Sequence, residues 1–251
     1  IIGQYMKINF RSISNKLMYK VSRALWRFYD SQSLVGKKSI ISNDYFPVLA
    51  EMEKNWLKIK EELDDIMKYR DSIPFFDEVS KENATISVDK KWRTFGLFGF
   101  GYKFEKNCKQ VPYTTEILEK LPKIRTAFFS ILAPGAYIPP HRGHTRGIIS
   151  GHLCLTLPRE YDKCGIKIED NTYHWHEGKA FLFDDTREHQ AWNKSEEERI
   201  VLLFNFDRPM KKFGFLIHNL TANIFQKSQY MKDVLKKMNL FQNKFQSNFN
   251  T

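Results

Sequence analysis

The chain has 251 residues, 42% of them hydrophobic and 15% aromatic, with a formal net charge of +11. That length and composition support one folded domain with a substantial core and exclude an intrinsically disordered chain. No apolar run approaches the ~18–20 residues a helix needs to span a bilayer, and no secretory signal is recognisable.

Residues 1–38 hold eight Lys/Arg against one acid, Asp30, a balance of +7. The chain begins with Ile rather than Met, so an upstream segment, including a membrane anchor, is left open. Ile13, Leu17, Val21, Ala24 and Phe28 recur at helical spacing, with Lys16, Lys20, Arg23 and Arg27 on other faces. A second helix is predicted from Pro47 through "VLAEMEKNWLKIKEELDDIMKYR", its stripe Leu49, Met52, Trp56, Ile59, Leu63 and Ile66. After "SIPFF" the texture changes to short β-rich runs bounded by Gly, Pro and Asp, from about 85 to 207, with a short helix at 114–121.

The predicted strands are "WRTFGLFGFG", "IRTAFFSILAPG", "GIISGHLCLTLP", "CGIKIED", "TYHWHEG", "KAFLFDD", "HQAWN" and "RIVLLFNFDRP". Their number and spacing point to an antiparallel sandwich or barrel. Helical periodicity returns at Phe213, Leu216, Leu220 and Ile224, then at Met231, Val234, Leu235 and Met238. Residues 208–251 again hold eight Lys/Arg against one acid, Asp233, leaving −3 for residues 39–207. The reading is a single domain: a helical flank over 1–84, a β-barrel over 85–209 and a helical flank over 210–251. Its basic flanks suit an anionic surface, whether phospholipid headgroups, phosphorylated glycolipid or nucleic acid, and equally suit merely solvated helix faces. Cys108, Cys154 and Cys164 have no paired spacing and fit a reducing, cytoplasmic compartment.

Several strands carry polar residues on one face. Leu153, Leu155 and Leu157 point one way while His152, Cys154 and Thr156 point the other; Ser130 shares a face with Phe128 and Leu132, and Arg199 with Val201, Leu203 and Asn205. A barrel interior holding a polar ligand would use such residues, although a lone His is often a satisfied core residue and an Arg at a strand start is often exposed. In "FLFDDTREHQAW", His189 opens a strand after a turn, and His141 follows Pro139-Pro140 in "PPHRGHTRG". Two histidines from neighbouring strands can grip a metal through imidazole nitrogen. The hairpin after His189 would bring the Arg199 guanidinium alongside, ready for bidentate pairing with a carboxylate. The common iron-oxygenase pattern has a carboxylate two residues after the first histidine; here that position is Gly143.

The segments "SILAPGAYIPPHRGHTRGIISGHLCLTLP", "WHEGKAFLFDDTREHQAW" and "RIVLLFNFDRP", in that order and spacing, resemble the aspartyl/asparaginyl β-hydroxylase family of Fe(II)- and 2-oxoglutarate-dependent dioxygenases. The match covers about 125–209. The stretches "NKLMYKVSRAL" and "FPVLAEMEKNWLKIKEE" are similar to the family's lipid A hydroxylase branch. The resemblance implies a double-stranded β-helix, that is, a jelly-roll or cupin-like barrel. It implies His141 and His189 as iron ligands, and His152 near the 2-oxoglutarate carboxylate beside the metal. Arg199 would pair with the distal carboxylate, assisted by Ser130. The family's arginine two residues before the His152 position is Ser150 here, and Arg146, from the preceding turn, is the candidate to replace it.

With Gly143 in place of a carboxylate, the metal would have two protein ligands, two from 2-oxoglutarate, and positions left for water and O2. Halogenation is the minor alternative that such an open site allows. Asp184 and Asp185 are candidates for orienting the imidazoles or for capping the turn. His144 is a loop residue or a substrate contact, and His174, His176 and His218 carry no expected role. The expected reaction is hydroxylation of an unactivated C–H bond, on an acyl chain of a lipid A-like glycolipid or on an Asp or Asn side chain of a protein. An inactive metal-binding barrel serving as a binding module is the alternative of a different class. The partners expected are an anionic lipid and a membrane surface reached through the basic flanks, peripherally or by an anchor at the inner membrane. Nucleic acid is not expected, and oligomeric state is not legible.

Overall fold

A computed structural model describes residues 20–80, 86, 87 and 89–249 of the chain. Two antiparallel sheets carry the fold. The larger contains β1 (Ile40–Ile41), β2 (Trp92–Gly99), β3 (Tyr102–Lys103), β4 (Ile124–Leu132), β6 (Ile148–Thr156), β9 (Ala180–Phe183) and β11 (Arg199–Asp207). Its order is β1-β9-β6-β11-β4-β2-β3. The smaller sheet runs β5 (Ala136–His141), β10 (His189–Asn193), β7 (Cys164–Ile168), β8 (Asn171–Tyr173). The fold is mainly β, a double-stranded β-helix of jelly-roll type with helices on both flanks.

Strand alternation sorts the side chains between two cores. Phe129, Ile131, Leu153, Leu155, Leu202 and Phe204 leave the larger sheet on its outer side and pack with Leu49, Met52, Ile59, Leu63, Ile117 and Leu118 from helices. Leu132, Cys154, Val201 and Phe183 point inward and meet Ile138, Cys164, Ile166 and Ala191 of the smaller sheet. The polar residues singled out above lie on this inner side, between the sheets.

The helices are α1 over 20–32, α2 (Pro47–Lys54), α3 (Trp56–Met67), α4 (Phe76–Val79), α5 (Glu105–Cys108), α6 (Pro112–Glu119), α7 (Lys212–Gln226) and α8 (Gln229–Phe249). The single helix predicted after Pro47 is two helices, because Asn55 leaves helical geometry at φ −111° and its Nδ2 donates to the Glu51 carbonyl at 3.0 Å. An Asn side chain bonded to nearby backbone competes with the helical ladder. Leu49, Met52, Ile59, Leu63 and Ile66 are nonetheless buried as predicted.

Ile13, Lys16 and Leu17 of the predicted first helix lie outside the described residues. Within α1 the inward residues are Leu25 and Tyr29, whereas Val21 and Ala24 are exposed. β5 passes through Pro139 and Pro140, a stretch not predicted as strand. It sits at the edge of its sheet, where a missing N–H disturbs no central ladder. β1, from the N-terminal flank, pairs with β9 and joins the larger sheet. Among the described residues no helix is long and apolar enough to cross a membrane.

Candidate active site

His141 ends β5 and His189 begins β10, and the two are direct partners in the antiparallel ladder. Their ring centroids are 4.1 Å apart. Each Nδ1 faces a backbone carbonyl: Pro139 O for His141 and Arg187 O for His189, both at 2.8 Å. A carbonyl only accepts, so each Nδ1 carries the proton and each Nε2 keeps its lone pair. Burial pushes both rings below the usual histidine value, His189 to about 4 with help from the neighbouring His141. Two neutral imidazoles with free Nε2 atoms are what a divalent first-row metal requires of histidine. Among the described residues no group of three or more His, Cys, Asp or Glu is arranged to hold a metal ion.

Arg199 opens β11 and is turned fully inward, 2% exposed. Its guanidinium lies over the Trp175 ring at 4.6 Å, and its Nε and Nη1 have no hydrogen-bond partner. Burial lowers it to about 10; its titratable neighbours are the thiols of Cys154 and Cys164, which burial keeps protonated, and not a carboxylate. A buried cation without a counter-ion costs several kcal/mol. The orphaned donors therefore fit an anionic ligand with a carboxylate at this place between the sheets. Ser130, on β4, is buried beside it and accepts from Trp92 Nε1 at 3.0 Å.

His152, on β6, bridges the two parts. Its ring contacts Phe181 and Phe183, and Phe183 in turn contacts His189. Trp175 Nε1 donates to His152 Nδ1 at 3.3 Å, so the neutral ring presents Nε2–H as a donor. Burial, with the Arg199 charge, holds His152 well below the usual histidine value. Trp175 thus supports both His152 and Arg199, a role the sequence reading missed. The only signal was a large apolar residue inside the otherwise polar "TYHWHEG".

Gly143 has a steric cause. A Cβ at this position would lie 2.3 Å from Asp185 Oδ1, so the space of a side chain at 143 is already taken by a carboxylate. Burial and the adjacent Asp184 raise Asp185 to about 7, against a hydrogen bond from Ser150. Ser150 therefore turns to Asp185. Arg146 is not brought to this cluster: its guanidinium pairs with Asp30, donates to Thr186 Oγ1 at 3.0 Å and covers the Trp26 ring. Nor does Asp184 orient an imidazole. It accepts from Thr186 N and Oγ1 within its own turn and faces Arg208 at 3.3 Å, while carbonyls orient the histidines.

A cavity of about 320 Å³ opens at this mouth of the barrel. Gly143, His144 and Asp185 form part of its wall, Thr126, Ile148 and Asn205 line it from the strands, and Leu25, Thr221, Ala222 and Phe225 roof it from α1 and α7. His144, exposed, joins this wall rather than the histidine pair, and Trp26 Nε1 donates to its carbonyl. His218 is buried against Asp207, His174 Nδ1 faces the Cys164 carbonyl, and His176 is exposed.

Comparison with known proteins follows the same lines. A family model described as aspartyl/asparaginyl beta-hydroxylase matches residues 53–209. An ornithine lipid ester-linked acyl 2-hydroxylase of Rhizobium tropici is 36% identical over 211 residues, covering 84% of this chain and 75% of that protein. The human aspartyl/asparaginyl beta-hydroxylase is 31% identical over 170 residues; the match covers 66% of this chain but only 22% of the human protein. Among solved structures, a cupin domain of an XRE family transcriptional regulator from Enterobacter cloacae aligns at TM-score 0.34 and 18% identity, over 47% of this chain and 99% of that one. A cupin barrel protein from Salinispora arenicola aligns at 0.33 and 13%, over 55% and 91%.

Proposed function

The chain belongs to the aspartyl/asparaginyl β-hydroxylase family, an enzyme family of hydroxylases, and on that premise we propose that it is an Fe(II)- and 2-oxoglutarate-dependent dioxygenase acting on the acyl chain of a membrane lipid. The observation that carries this reading is the pairing of two metal-competent imidazoles with a buried arginine that has no counter-ion. The lipid substrate is supported by the cavity roofed by α1 and α7 and by the relative that hydroxylates an ornithine lipid acyl chain. A lipid A-like glycolipid is a member of the same substrate class.

His141 and His189 would hold the metal through Nε2. Arg199 would pair bidentately with the far carboxylate of 2-oxoglutarate, with Ser130 beside it. His152 Nε2–H would donate to the carboxylate at the metal end. When bound, iron and 2-oxoglutarate supply the oxidation: substrate C–H, O2 and 2-oxoglutarate become C–OH, succinate and CO2. The chain's own contribution is to bind, orient and exclude water. Trp92, Trp175, Phe181 and Phe183 close the inner end against solvent, so the charge pairing at Arg199 acts in a low dielectric. Gly143 and Asp185, close in sequence to His141 and His189, line the wider cavity that the histidines themselves do not line, and the reacting carbon would enter past them.

The test is iron-dependent release of succinate from 2-oxoglutarate by protein loaded anaerobically, together with mass spectrometry of lipids from cells with and without the gene. The expected result is succinate release and a lipid acyl chain heavier by one oxygen. Absence of release with 2-oxoglutarate and with other keto acids would sink the enzyme reading in favour of a binding module. A gain of oxygen on protein Asp or Asn, and none on lipid, would move the substrate to the class of the human relative. His189→Ala should abolish metal binding with the fold intact; unchanged affinity would overturn the assignment of the pair.

A further inference from the structure

α7 shows two unlike faces. Its inner face, with His218, Thr221, Ala222 and Phe225, roofs the cavity. Its outer face presents Phe213, Leu216, Leu220 and Ile224, which are 60%, 62%, 57% and 65% exposed. At 3.6 residues per turn these four fall within roughly a quarter of the helix circumference, a continuous apolar stripe. The exposed face of a helix on a soluble core is ordinarily polar, so a stripe of this length marks an interaction surface.

α1 packs beside α7: Phe28 meets Phe213 edge to face at 5.7 Å, and the Tyr29 and Thr221 hydroxyls are 2.9 Å apart. It adds Val21, 59% exposed, to the apolar surface. Lys20, Arg23 and Arg27 on α1 and Lys211, Lys212 and Lys227 at the ends of α7 are all exposed. Residues 20–32 and 211–227 hold a single acid, Asp30, so the charge of this surface is strongly positive.

An apolar helix stripe rimmed by Lys and Arg is the pattern of a helix lying in the headgroup region of an anionic bilayer. We propose that the outer face of α7, with α1 alongside, docks on an anionic lipid bilayer, the stripe entering the headgroup–acyl boundary and the six cations facing lipid phosphates. The proposal rests on the lipid reading of the site, and deepens it: the helix that would touch the membrane is the roof of the cavity, so docking sets the cavity's α1–α7 wall against the acyl layer. Charge argues against the other occupants. A second copy meeting the first through this face would bring six cations onto six. Residues 1–19 hold Lys7, Arg11 and Lys16 and no acid, so they are repelled by the same rim.

The test uses metal-free full chain, sedimented with vesicles of phosphatidylcholine alone or mixed with phosphatidylglycerol. Binding is expected only with phosphatidylglycerol present and should fall with salt. Leu220→Gln with Ile224→Gln keeps the charge and should weaken binding by about tenfold or more. Lys211→Gln with Lys212→Gln keeps the stripe and should weaken it by about 25-fold at low salt. Circular dichroism melts of both variants should match the parent, since all four side chains are exposed. Equal binding by parent and both variants overturns the proposal. So does capture that occurs only after residues 1–19 are removed, or a stripe variant that dissociates a dimer while vesicle binding stays the same. Vesicle binding needs neither metal nor turnover. A chain that binds vesicles but leaves lipid unmodified keeps the docking face and loses the substrate reading. One that hydroxylates detergent-dispersed lipid but ignores vesicles does the reverse.

Discussion

β11 carries a buried charge at each end, and the two are treated in opposite ways. At its far end Asp207 receives Arg125 Nε at 2.5 Å and Nη2 at 2.8 Å, and His218 of α7 closes on the same carboxylate at 2.7 Å. At its start Arg199 is equally buried, yet two of its nitrogens have no partner and no carboxylate is near. Burying an ion is expensive unless it is paired, so the first arrangement is a joint, while the donors of the second suit an anion. The joint fastens α7 over the cavity mouth. Arg199 lies between the sheets over Trp175, at the other end of β11 from the cavity-lining Asn205.

The contrast makes quantitative demands. Arg125→Met should remove about 3–5 kcal/mol from the unfolding free energy in urea, because Asp207 is left buried with half its partners. A loss below about 1 kcal/mol would mean that the joint is not closed. Arg199→Met should leave stability unchanged or higher, while calorimetric affinity of the metal-loaded protein for 2-oxoglutarate falls by about 30-fold or more, the ~2 kcal/mol or more of a buried charge pair. A loss of stability matching that of Arg125→Met would turn Arg199 into a second structural cation.

A smaller effect follows from pH. Burial alone would raise Asp207, but its hydrogen bonds from His218 and Arg125 outweigh it and hold the carboxyl below the ordinary value. Its contribution is therefore complete above the unfolded pKa of about 3.9 and is lost as pH falls through the lower folded value. Stability measured in urea should decline in that acid range for the parent and less steeply for Asp207→Asn. Trp175→Phe keeps a ring under Arg199 but removes the donor to His152, so cosubstrate binding should weaken about threefold to tenfold with metal affinity unchanged. An effect on metal affinity would place Trp175 with the histidine pair instead. Smallest of all, His144→Ala should leave metal affinity within about twofold, since its ring belongs to the cavity wall.

Much of the barrel was legible because alternation is a local property. Leu153 and Leu155 against His152 and Cys154 assign two faces of β6 from nine consecutive residues, and the cores divide along those faces. Helical periodicity likewise found α7, but not which way it faces: the stripe that gives the period is the exposed one. Periodicity reports that a helix is two-sided, while the direction of each side is set by what packs against it. The prolines of β5 concealed a strand because their cost depends on whether a neighbour pairs with them.

Residue type and strand alternation put Ser130, His152 and Arg199 on inward faces and His141 and His189 beside turns, and the family resemblance implied that they act together. Only the tertiary structure decided the partners. Arg146 is held by Asp30, 116 positions away, rather than turned toward the histidine pair; Asp185 fills the space beside Gly143; and Arg199 is left open while Arg125 is closed. Charge and burial act through space, and the distance between two ionic groups in a folded chain is not written in their separation along it.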